Sequence, residues 1–314
     1  MVINAHAHIL CKEIYSDAFW DGVAYSFSKS LGIPIEAVYK NLLPQLWAVD
    51  ATAFVELMEA AGIEKTVINH PDAGLSHLGE AKWSIEEINE WYIKQLADYP
   101  DKFQYVAGID PRRKNAIELL QKAVRDWGVK GVKIYPPTGF YPDDRKFDSY
   151  YEKCIELGLT LHTHTAPIAH PNTEIKYANP LYLDSIAARF PDLRILVVHM
   201  GSSTWSYHVI NLMVAHYNVY TEISGHQITA VGMPAWWLST LRAALDIPPI
   251  FGGSLGDRIM FGTDFPYLAG VMADKSWVEW VNNIPEKAKE YGLSFTKQEI
   301  DKILHENAKK FFEF

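Results

Sequence analysis

At 314 residues, 48% hydrophobic and 21% charged, the chain has the composition of a soluble globular protein with a large core, long enough for one eightfold α/β barrel. A formal charge of −9 and the lack of a Lys/Arg run argue against nucleic acid or an anionic membrane as partner. No apolar stretch approaches the ~20 residues that span a bilayer, no secretion signal opens the chain, and Cys11 and Cys154 are too few for a disulfide framework, so a cytoplasmic setting is expected.

Short apolar runs alternate with amphipathic stretches, the pattern of βα units around a parallel sheet. The first run, about residues 2–8, reads VINAHAH and sets His6 and His8 two apart, on one face of a strand. Residues 11–50 then form a segment longer than an ordinary βα loop, with helix-like stretches and the aromatics Phe19, Trp20, Tyr25, Phe27, Tyr39 and Trp47. It reads as a packing subdomain or as a cap over a barrel mouth, since βα loops build that face. A second strand, about 65–70, ends at His70, with Asp72 just beyond, and a third is expected at about 103–109. The fourth, about 130–135 (KGVKIY), places Lys133 on the face of Gly131 and Tyr135.

The fifth, about 159–165, contains a second HxH pair, His162 and His164; parity and the strand end favour His164 as a ligand, with His162 one layer deeper. The sixth, about 193–199, is the aliphatic run ending in His199, and Trp205 opens the helix expected after it. A seventh strand follows at about 218–223. The eighth, about 258–263, leads into Asp264 and Tyr267. Helices are expected near 52–61, 84–98, 114–127, 147–157, 180–189, 205–216, 234–245 and 275–291. Residues 296–313 read as a closing helix with a Thr296/Glu299 capping box. The whole, 1–314, is expected to be one domain, a (β/α)8 TIM barrel with an inserted helical segment after strand 1.

In such a barrel the strand ends converge on one mouth. His6, His8, His164, His199 and Asp264 then read as a single metal site. An HxH pair alone is a weak signal, but the five positions support one another, and a buried carboxylate without a cation is costly. Imidazole and carboxylate donors without thiolate suit one divalent ion, zinc first, with manganese, iron or cobalt as alternatives. Lys133 reads as a substrate contact, as a bridging ligand if carboxylated, or as a lysine paired with Glu222. Tyr135, His70, Asp72, Trp205 and Tyr267 are candidates for lining the pocket.

The order NAHAHI, ELGLTLHTHT, DLRILVVHMG, DRIMFGTDFPY and ILHENAKKFF resembles the amidohydrolase superfamily, in particular the branch that includes aminocarboxymuconate-semialdehyde decarboxylase. The resemblance spans essentially the whole chain. It implies a divalent metal on His6, His8, His164 and Asp264, with Asp264 and His199 catalytic, and a homodimer. Ala166 and Pro167 stand where the family often has glycine after the fifth-strand His-Thr, and Ser202 and Ser203 where it often has glycines, which bears on pocket shape. The expected activity is hydrolysis of an amide, lactone or similar small carboxylic-acid derivative by activated water. The alternative is non-oxidative decarboxylation of an aromatic or unsaturated acid on the same site. A third reading, a metal-binding barrel without catalysis, fits poorly with five competent residues.

Overall fold

The computed structural model describes residues 1–167, 170–171, 173–248 and 254–314. Eight parallel strands run in sequence order: β1 (Ile3–Ala7), β2 (Lys65–Asn69), β3 (Phe103–Gly108), β4 (Gly131–Ile134), β5 (Thr160–His164), β6 (Ile195–Val198), β7 (Val219–Glu222) and β8 (Ile259–Met260). Each pairs with the next. The fold is a (β/α)8 barrel. β8 is shorter than the expected 258–263, because the chain after Met260 leaves β7 to follow β1. Ala5 N–H donates to Phe261 O at 2.8 Å and His8 N–H to Phe265 O at 2.7 Å, which brings the barrel round to its first strand.

Local chemistry sets the helices between the strands. Ser84 and Glu87 form a reciprocal capping box at the start of Ile85–Leu96, and Asp50 caps Ala51–Ala61. The expected Thr296/Glu299 box is present and opens a helical run, Lys297–Asp301, a π turn at Lys302–Glu306, and Asn307–Phe312. Phe311 and Phe312 from that run cluster with Ile3, Ala5, Val67, Val106 and Leu196 inside the barrel. They plug the amino-terminal end, which leaves the carboxyl ends of the strands as the open mouth. Among the described residues no helix is long and apolar enough to cross a membrane.

After β1, Ser16 caps a helix at Asp17–Leu31, which ends at Gly32 with φ 66°, and short helical turns continue to Trp47. Trp20 meets Trp47 edge-on at 5.2 Å and Tyr15 stacks on Phe19 at 3.9 Å. The segment also reaches across the mouth, for His170 beyond β5 has its Nε2 3.0 Å from Phe19 O.

Candidate metal centre

The site begins with Asn4, buried inside β1. Its Oδ1 accepts from the backbone N–H of His6 (3.2 Å) and of Thr263 (3.0 Å), while Nδ2 donates to Thr263 Oγ1 (2.9 Å). One amide thus locks the end of β8 to β1. Gln227, which opens the helix Gln227–Gly232 beyond β7, donates a 2.7 Å bond to Thr263 O. Asp264 follows with φ 54°, and its N–H donates to His6 O at 2.9 Å. His199 likewise has φ 72°. A left-handed backbone at a non-glycine residue costs on the order of 1–3 kcal/mol, and it persists where the surroundings over-determine it.

His8 Nε2 lies 3.2 Å from His6 Nε2 and 3.2 Å from Asp264 Oδ1, and His6 Nε2 lies 3.3 Å from that same oxygen. Ligands held at 2.0–2.1 Å in tetrahedral array stand about 3.3 Å apart. The triangle therefore has the size of one face of a coordinated ion. His8 Nδ1 is 2.7 Å from Asn69 O, a group that only accepts, so Nδ1 carries the proton and Nε2 turns its lone pair toward the Asp264 carboxylate. Two acceptors in contact call for a cation between them. His164 Nε2 is 2.9 Å from Ala166 O, which leaves its Nδ1 lone pair facing His199 Nε2 at 3.1 Å. One donor atom each from His6, His199 and Asp264 lies within 4.8 Å of the others. The residues fit a divalent cation, and His199 stands close enough to join the ligands.

Electrostatics agree with this. Desolvation drives His6 and His199 well below the ordinary imidazole range and His164 down to about 3. These rings are neutral, as ligands must be. Lys133 is 1% exposed, its Nζ has no hydrogen-bond partner, and burial pushes it down to about 7. Burial likewise pushes Glu222 up to about 7. The two attract each other through the interior without a direct bond.

All five histidine and aspartate candidates, with Lys133, Tyr135 and Tyr267, line one cavity of about 130 Å³. Phe19 and Pro71 complete its wall. Tyr135 meets His164 edge-on at 5.1 Å and Tyr267 meets His8 at 5.4 Å.

Three expected residues lie elsewhere. His70 is buried between Tyr15 and Tyr92, with ring centroids 5.2 and 5.4 Å away, in a neighbouring crevice rather than in this wall. Asp72 is taken up by Arg113, with bonds of 2.5 and 2.7 Å. Trp205 is half-buried over Gly201 and outside the cavity wall, because the helix begins at Ser202, a turn earlier than expected. His162 sits on the barrel floor, 3.1 Å from Thr160 Oγ1 and against Phe311 and Phe312. Sequence reasoning missed Pro71, Ser224 and Asn4. For two of them the available signal was a polar residue at a strand, Ser224 closing TEIS and Asn4 inside VINA.

A family model described as amidohydrolase matches residues 3–314. The chain belongs to the amidohydrolase family. No curated protein sequence matches it. Solved structures show the same barrel at low identity. One is 5-carboxyvanillate decarboxylase from Novosphingobium aromaticivorans with bound manganese and 3-methoxy-4-hydroxy-5-nitrobenzoic acid (18% identity, TM-score 0.66, 100% of this chain and 97% of that one). Another is 2,6-dihydroxybenzoate decarboxylase from Rhizobium (18%, 0.66, 99% and 98%). A third is a probable 2-pyrone-4,6-dicarboxylic acid hydrolase from Acinetobacter baumannii (13%, 0.63, 100% and 99%). The same barrel thus occurs in proteins named as decarboxylases and in one named as a probable hydrolase.

Proposed function

We propose that this amidohydrolase-family chain is a metal-dependent carboxy-lyase that removes carbon dioxide from a hydroxylated aromatic or unsaturated carboxylic acid. The observation that carries this reading is a buried ammonium, Lys133, without a hydrogen-bond partner, in a cavity walled by the rings of Phe19, Tyr135 and Tyr267. Flat walls favour a planar ring, and an ammonium with no hydrogen-bond partner favours an anion that can accept from it. The likeness to two decarboxylases of benzoic acids supports it. This replaces hydrolysis as the leading reading. Hydrolysis of a lactone stays second, on the likeness to a pyrone-dicarboxylate hydrolase.

His6, His8, His164 and Asp264 would hold one divalent ion, manganese or zinc, with His199 free to act on substrate. Such an ion would supply Lewis-acid chemistry toward the substrate's carboxylate and hydroxyl groups. Tyr135 and Tyr267 orient the ring between them. Lys133 balances the acid's charge from below. Asp264 or His199 first takes the proton of the substrate's hydroxyl and then delivers it to the carbon that bears the carboxylate; the carbon–carbon bond breaks, its electrons return to the ring, and carbon dioxide leaves. Residues 11–50 act as a cap on a single barrel domain, with Phe19 excluding water.

The test is purified, manganese-loaded protein incubated with hydroxybenzoates, unsaturated dicarboxylic acids, lactones and amides, with products read by mass spectrometry. Loss of carbon dioxide from an aromatic or unsaturated acid is expected. Gain of water by a lactone or amide, with the acids untouched, would favour hydrolysis.

A further inference from the structure

Glu222 is the only fully buried carboxylate beside the centre that is not itself one of the proposed ligands, among the described residues. It closes β7 with no exposure, and three donors converge on it. His199 N–H donates to Oε1 at 2.7 Å, Ser224 Oγ–H donates to Oε1 at 2.8 Å, and Ser224 N–H donates to Oε2 at 2.6 Å. Ser224 Oγ lies 2.8 Å from His199 Nδ1. Because the hydroxyl proton is engaged by the carboxylate, the serine oxygen can only accept from that ring nitrogen. Nδ1 then carries the imidazole proton, and Nε2 presents its lone pair to the cavity.

The same carboxylate explains the backbone. His199, Met200 and Ser202 have φ of 72°, 45° and 52°, and Gly201 between them has 70°. Such a run of left-handed residues turns the N–H of His199 away from any strand partner and onto Glu222. Room for the carboxylate comes from Gly262, where a Cβ would fall 2.0 Å from Glu222 Oε2. Any side chain there displaces the group that holds the turn.

We propose that Glu222 and Ser224 are positioning residues: Glu222 holds the strained turn that carries His199, and Ser224 sets its ring tautomer and aim. The proposal rests on reading His199 as a working residue of the centre, and it does not depend on which reaction occurs there. It predicts that the two positions act through orientation, so that losing the serine hydroxyl lowers kcat about 10- to 100-fold with KM little changed.

The deciding experiment is nitrogen NMR of histidine-labelled, zinc-loaded protein, with His199 signals assigned as those lost in His199→Gln. In the native protein His199 shows one fixed tautomer, protonated at Nδ1. In Ser224→Ala, folded by circular dichroism, its two ring-nitrogen shifts move toward each other as the tautomers mix, while His8 keeps its pattern; Ser224→Thr, which retains the hydroxyl, restores the native pattern. Glu222→Gln gives the same mixing where it folds. An unchanged His199 tautomer in Ser224→Ala overturns the proposal. That result is separable from failure of the decarboxylase reading, which the product assay reports.

Discussion

Asp264 occupies the left-handed region that asparagine also tolerates, so Asp264→Asn changes the charge and keeps the turn. The variant is expected to fold as the native protein does, by circular dichroism, and to lose about 10²- to 10⁴-fold in turnover, the scale of a general acid–base group. Unchanged turnover would remove Asp264 from the chemistry. Lys133 offers a sharper contrast. Lys133→Met keeps the length of the stem and deletes a buried, unpartnered ammonium. It should lower kcat/KM at least about 10-fold, the worth of one charged contact to substrate. Asp274, beside Thr263, has its carboxyl pushed up to about 7 by burial. A raised carboxyl pKa means the native state holds a proton that the unfolded chain has released. The stability this gives is full below about pH 4 and is lost as pH rises to about 7. Asp274→Asn should flatten that fall, on the order of 1–4 kcal/mol, in denaturation curves compared with the native protein across pH 4 to 7.

At the scale of elements, the strand ends were readable because the runs of β1, β5, β6 and β8 stop at or shortly before a histidine or an aspartate. His6, His8, His164, His199 and Asp264 needed only the barrel to bring them together. The inserted segment was less legible. Phe19 and Trp20 are neighbours of similar character, yet Phe19 turns into the cavity while Trp20 packs on Trp47. No sequence period separates them, because the choice is made by the mouth they cover. Nor does the sequence announce the turn at His199: a left-handed residue is normally flagged by glycine, and here Glu222 enforces it from the next strand. Trp205 was misplaced for a related reason, since that turn lets the helix begin directly at Ser202. If the segment is a cap, Phe19→Ala should raise KM about 10-fold by admitting water, and cost about 3 kcal/mol in urea denaturation through the void it leaves. A normal KM in a destabilised variant would make the segment a packing element instead.

For the molecule as a whole, the barrel was legible from eight strand-like runs separated by helix-like stretches, and the closing helix from its capping box. The chemistry was not. In the proposed reading, hydrolysis and decarboxylation would use the same ligands, and the choice between them would rest on what the cavity admits: three aromatic rings and a buried lysine favour a planar acid. A divalent ion held, as proposed, by His6, His8, His164 and Asp264 would also stabilise the fold. At a hundredfold excess over its dissociation constant, manganese should add about 2.7 kcal/mol and raise Tm by about 5 °C over chelator-treated protein. The most direct measurement of the central claim is an anomalous-diffraction map from manganese-loaded crystals. One strong peak per chain is expected, in contact with His6, His8, His164 and Asp264. No peak there, or a peak only at another place on the surface, would contradict it.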